Sequence, residues 1–199
     1  MNRIDPLAQR WAPAAAMLGG LVWIAYTLAA LLQPWGRYAA YIDAQGAVAV
    51  TNAPVFQLTA LLGGAALLLL STALVGAARR LGLPAHLPGQ IGVALGVVGG
   101  AAGLLLWIGA LLRQPTMATA AMNAGALLVA VGVLLVAIDG AGRTLAPSLF
   151  LIGALGLAAI FAAALVSLVS WMLPVYAALV MAVYGFAWVR FGDLLGKDR

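Results

Sequence analysis

The chain has 199 residues, 65% of them hydrophobic and only 8% charged, with a mean hydropathy of +1.11. A soluble domain carries about 25% charged residues, so a water-exposed globule is excluded and lipid is expected as the solvent for most of the surface. The net charge of +5 does not point to nucleic acid, because the cations sit at the ends of apolar runs, and the absence of cysteine excludes disulfides, thiolate metal sites and cysteine nucleophiles.

Six apolar runs follow one another, each near the ~20 residues that a helix needs to cross a bilayer. They cover residues 13–32, 54–78, 91–112, 117–138, 149–169 and 172–189, and none contains an ionised side chain. Run one is longer than the h-region of a signal peptide and is read as an anchor. Pro13, Pro54, Pro88, Pro115, Pro147 and Pro174 lie at or near the six starts. Proline fits the first helical turn, where the amide it lacks has no partner in any case. The expected fold is therefore an all-α integral membrane protein, a single six-transmembrane-helix bundle with no separate soluble domain.

The Arg and Lys distribution sets an expected orientation. With the N-terminus inside, the inner segments hold Arg3, Arg10, Arg79, Arg80, Arg143, Arg190, Lys197 and Arg199, and the outer segments hold only Arg37 and Arg113. That bias predicts an N-in, C-in topology. Interfacial aromatic belts are expected from Trp35, Tyr38, Tyr41, Trp107 and Trp171 outside, and from Trp11, Tyr184 and Trp188 inside. Trp23 falls mid-span and suits helix packing. The Ala/Leu/Gly/Arg-rich composition fits the inner membrane of a GC-rich bacterium.

Most connections between runs are short. The first, 33–53, is long for a bundle. Trp35, Tyr38 and Tyr41 share one face of a short helix there, which predicts an interfacial segment on the outer surface, followed by an extended stretch over 47–51. Arg37 and Arg113 run against the charge bias, and Asp43, an anionic lipid or an acidic partner would suit them. These residues form a candidate docking surface.

Run three carries Gly89, Gly92, Gly96, Gly99 and Gly103 at alternating spacings of three and four, with Gly100 beside them. The spacing places the stripe on one helical face. Lipid offers no hydrophobic drive for helix association, so small residues that allow close backbone approach take that role. The stripe predicts a central third helix, with Gly125, Gly132, Gly153 and Gly156 as counterparts, or else a seat for another subunit. A fainter pattern relates runs one and two to runs three and four: Trp23-Ile24 matches Trp107-Ile108, and 76–81 resembles 140–145.

Reactive chemistry is scarce. All five acidic residues are Asp, and none lies within a run. Coupled transport usually relies on an intramembrane ionisable group. The single histidine, His86, lies in an inner loop, which excludes a haem held by two histidines and a Ser-His-Asp triad. No metal site and no catalytic constellation is expected. Asp139 and Arg143 are spaced as a local surface pair. Gln57 and Asn123 are the amides within the runs and need partners in lipid. The expected function is that of a non-catalytic accessory or scaffold subunit of a larger membrane complex, with membrane lipids and other membrane-protein subunits as partners. The alternative is a carrier or channel component for a neutral or apolar small molecule, with a cavity lined by groups such as Gln57, Asn123, Thr27 and Tyr26. No cofactor is required by any residue; a bound lipid, quinone or pigment is compatible with the composition.

Overall fold

The computed structural model describes residues 5–31, 40–42, 48–50, 53–84, 86–166 and 173–197. They form six helices: α1 (Asp5–Leu31), α2 (Ala53–Arg80), α3 (Leu87–Leu111), α4 (Pro115–Asp139), α5 (Ala146–Val166) and α6 (Leu173–Lys197). Two three-residue strands, β1 (Ala40–Ile42) and β2 (Val48–Val50), pair antiparallel between α1 and α2, with Tyr41 opposite Ala49. Five helices, all but α5, are long and apolar enough to cross a membrane. α5 is equally apolar, and its stretch Ala146–Ala162 is shorter. This is the architecture of a multi-pass membrane protein.

Proline marks five of the six helix starts. Pro54, Pro88, Pro115, Pro147 and Pro174 each occupy the first or second helical position. Pro13 does not. α1 begins at Asp5, which places Pro13 inside the helix. A proline there costs the hydrogen bond it cannot donate. The polar stretch before Pro13 hid this start from a hydropathy reading. α6 likewise continues past the apolar run to Lys197, where Asp193 bridges Arg190 at 3.1 Å and Lys197 at 2.8 Å.

Helix ends follow backbone chemistry. Gly82 takes φ +68 after α2, with Leu83 N–H donating to Ala78 O at 2.8 Å and Gly82 N–H to Arg79 O at 3.0 Å. This is a Schellman closure with glycine at its left-handed position. The same pattern ends α3: Gln114 N–H reaches Gly109 O at 2.7 Å and Arg113 N–H reaches Ala110 O at 3.2 Å. There the left-handed residue is Arg113, at φ 54.

Each helix packs on its neighbours in sequence, and α6 returns to α1, which closes a ring; α2 and α4 touch across it. The packing is antiparallel throughout. Gly19 meets Leu70, Gly64 meets Gly103, Gly99 meets Gly125, Gly153 meets Leu134, and Gly192 meets the Pro13 carbonyl. The start of α1 therefore lies beside the end of α6. The core holds Leu67, Leu70, Leu74, Val129, Val133, Val136, Ile152 and Trp188, all almost fully buried. The outer faces carry Leu21, Leu28, Leu61, Val98, Leu105, Phe150, Leu179 and Phe186, all exposed. Large apolar side chains on the outside of nearly every helix are the inverse of a soluble surface.

Two sequence expectations change here. Tyr41 and Ile42 belong to a strand and not to a helix, because they pair with Val48–Val50, the segment expected to be extended. Trp35, Arg37, Tyr38 and Asp43 lie outside the described residues. Tyr184 and Trp188, expected in an interfacial belt, are buried in the core at 3% and 0% exposure. The closeness of α1 and α6 turns them inward.

Candidate functional site

The glycines of α3 face its own neighbours. Gly89, Gly92, Gly96, Gly99, Gly100 and Gly103 are all buried. A Cβ on Gly92 would lie 2.7 Å from Gly132 O, and one on Gly99 2.9 Å from Gly125 O. Real Cβ atoms essentially never approach so closely, so both positions on the α3–α4 contact need glycine. Gly96, Gly100 and Gly103 face α2 through Leu74, Ser71 and the Gly64 carbonyl. Gly153 and Gly156 meet Leu134, Ala130 and Tyr184, on α4 and α6 rather than α3. α3 sits between α2 and α4, and a larger share of those two helices is buried. α3 is thus closely packed between two neighbours through its glycine face.

Gly89 has a different neighbour. A Cβ there would strike the carboxylate of Asp139 at the end of α4. That carboxylate accepts the backbone N–H of His86, the residue that caps α3, at 3.0 Å. Asp139 therefore serves the N-terminus of another helix, where an anion is favoured, and does not form the local pair with Arg143 expected from the spacing. No ion pair engages Arg143 among the described residues.

Most hydroxyls are satisfied nearby. Thr27 donates to Trp23 O at 2.9 Å, Thr59 to Phe56 O at 2.9 Å and Thr72 to Leu68 O at 2.8 Å, all within their own helices. Ser71 is the exception, donating across to Gly96 O on α3 at 2.7 Å. The indole N–H of Trp107 donates to Leu61 O at 3.1 Å, from α3 to α2. Trp23, the proposed match of Trp107, is instead buried in the core. It stands in a column of rings: Tyr26 to Trp23 at 5.6 Å, Trp23 to Tyr184 at 5.2 Å, Tyr184 to Trp188 at 6.4 Å and Trp188 to Phe191 at 5.9 Å. The indole N–H groups of Trp23 and Trp188 are buried without an acceptor among the described residues.

At the Tyr26 end of this column lies a cavity of about 200 Å³. It is framed by the end of α1 (Tyr26, Ala30), the start of α2 (Phe56, Thr59, Ala60), Leu106 of α3 and the start of α4 (Ala118, Thr119, Met122, Asn123). Thr119 and Asn123 are one turn apart on the same face of α4, and both are exposed. β2 packs against α4. Its place just before α2 puts that contact at the same end of the bundle.

Of the residues expected to contact a ligand, Asn123 and Tyr26 line this cavity, whereas Gln57 and Thr27 do not. Gln57 is exposed on the first turns of α2, and Arg113 is exposed at the turn between α3 and α4. Phe56, Met122 and Leu106 escaped sequence reading, because isolated apolar residues in an apolar run carry no signal. Among the described residues, no three acidic, histidine or cysteine side chains converge as a metal site would require. The described lining of the cavity offers neutral polar groups over an apolar floor. Comparison of the chain with protein-family models, curated proteins and solved structures returned no match.

Proposed function

We propose that this protein is a bacterial inner-membrane binding component, a carrier or channel part, for a neutral amphiphilic small molecule. The ring crosses the bilayer six times with both ends in the cytoplasm, and the cavity between α1, α2 and α4 takes the ligand's head at the outer end. Support for the sixth crossing comes from α5, which runs antiparallel to α4 and whose 21 residues span about 30 Å. The arginine bias supports the orientation.

The single observation that carries the functional reading is the lining of the cavity. Tyr26, Thr119 and Asn123 supply donors and acceptors, and among the described residues no carboxylate, lysine or arginine lines the cavity. Among the described residues a charged ligand would meet no counter-ion there, which supports a neutral ligand. The volume is below the ~300 Å³ of a small drug-binding pocket. It therefore holds a ring or headgroup, with the rest of the molecule in lipid. A quinone ring or an uncharged lipid head has the right polarity.

The accessory-subunit reading rests on scarce chemistry, short loops and the glycine-lined helix, and only the last of these bears on a docking face. In this ring α3 turns that face to its own α2 and α4, which favours the ligand reading. Organic extraction of the full chain purified in mild detergent, followed by mass spectrometry, tests it. The wild type should carry a neutral amphiphile, and Asn123→Leu should reduce its occupancy up to about tenfold, the net worth of one hydrogen bond to the ligand. Equal occupancy in wild type and variant, or stoichiometric co-purification of another membrane protein in place of a ligand, would refute the proposal.

A further inference from the structure

At the opposite end of the bundle, the turn between α4 and α5 frames a second, open groove of about 520 Å³. Its walls are Ile138, from the last turn of α4, and Pro147 and Phe150, from the first turns of α5; Arg143 and Thr144 stand at its head. Ile138 is 54% exposed and Phe150 56% exposed, so the walls are apolar surface left open by the described residues. Gly142, at φ +92, turns the chain sharply just before the arginine.

Charge complementarity identifies the occupant. Arg143 is exposed and forms no ion pair among the described residues. The one carboxylate nearby in sequence, Asp139, accepts the amide of His86. Among the described residues no acidic side chain lines the groove, so its head is cationic and its walls are apolar. The apolar walls lie on the side of the two apolar helices, and the cation lies at their ends, at the level where a bilayer places its headgroups.

We infer that this groove is a binding site for an anionic phospholipid, with the phosphate at Arg143 and Thr144 and an acyl chain against Ile138 and Phe150. A soluble anion would satisfy the arginine alone and leave both walls exposed. A zwitterionic lipid offers the chain but cancels the charge. Only an anionic amphiphile meets both halves of the groove. This inference is independent of the outer cavity.

Native mass spectrometry of the full chain in mild detergent provides the test, with phosphatidylglycerol and phosphatidylcholine added in equal amounts. The wild type should retain phosphatidylglycerol about fivefold over phosphatidylcholine, the preference conferred by one interfacial cation. Arg143→Gln should remove that preference, and Arg143→Lys should keep it. Arg143 is exposed in a turn, and the lysine variant controls for folding. Phe150→Ala should weaken retention of both lipids while leaving their ratio unchanged. No preference in the wild type, or an unchanged preference in Arg143→Gln, would overturn the inference. Displacement of the bound phosphatidylglycerol by inorganic phosphate alone would overturn the lipid assignment in favour of a free-phosphate site.

Discussion

Asp139 and Arg113 are the two side chains whose backbone roles go furthest beyond their local spacing. The Asp139 carboxylate reaches across to the amide of His86, and Gly89 leaves the room it needs. Asp139→Ala should lower stability by about 1–2 kcal/mol, as removal of a helix cap does. Asp139→Asn, which keeps an acceptor, should lose less. Unfolding of the purified protein by dodecyl sulfate, followed by tryptophan fluorescence, reads both. Arg113 holds a left-handed backbone at the end of α3, a position that glycine fills without strain. Arg113→Gly should therefore stabilise the protein by about 0.5–1 kcal/mol. A loss of stability on the same assay would show that the guanidinium makes a contact worth more than the strain.

Helix packing divides the glycines into two kinds. Gly92 and Gly99 face backbone carbonyls of α4, which cannot move without moving the helix. Gly96 faces the end of the Leu74 side chain, which can change rotamer. Gly99→Leu should thus cost about 3 kcal/mol or more and part α3 from α4, whereas Gly96→Ala should be tolerated within about 1 kcal/mol. Equal effects of the two in the same unfolding assay would contradict this packing. Ser71→Ala should cost only about 0.6 kcal/mol, the typical worth of an interhelical bond in a membrane bundle. The helices and most of their starts were legible in the sequence, because hydropathy and proline act locally. The glycine stripe of α3 was legible as a face. The side chains meeting it were not, because spacing along one helix carries nothing about its neighbour. Pro13 misled for the same reason: a helix that begins in polar sequence gives no apolar signal at its start.

Ring closure is the property of the whole molecule least visible in the sequence. It depends on α6 returning to α1, where Gly20 approaches the Gly185 carbonyl and Gly192 approaches that of Pro13. α6 carries Gly185, Gly192 and Gly196 on one face, but α1 offers only the adjacent pair Gly19 and Gly20 to meet them. The same closure buries Tyr184 and Trp188 against Trp23 and so converts expected belt residues into core. The cavity was half legible: Tyr26 and Asn123 are polar and stand out, whereas Phe56, Leu106 and Met122 are apolar among apolar neighbours. Closure also brings the start of α1 and the end of α6 to the side of the bundle that carries the α2–α3 and α4–α5 turns. The central claim, a ring of six crossings with both ends inside, rests on that arrangement. Because the chain has no cysteine, single substitutions Gly82→Cys, Arg113→Cys, Gly142→Cys and Lys197→Cys can each be labelled with a membrane-impermeant maleimide on intact cells. Arg113→Cys alone should be labelled, with the other three reacting only after lysis. Labelling of Lys197→Cys from outside would mean that α5 does not cross, and would contradict it.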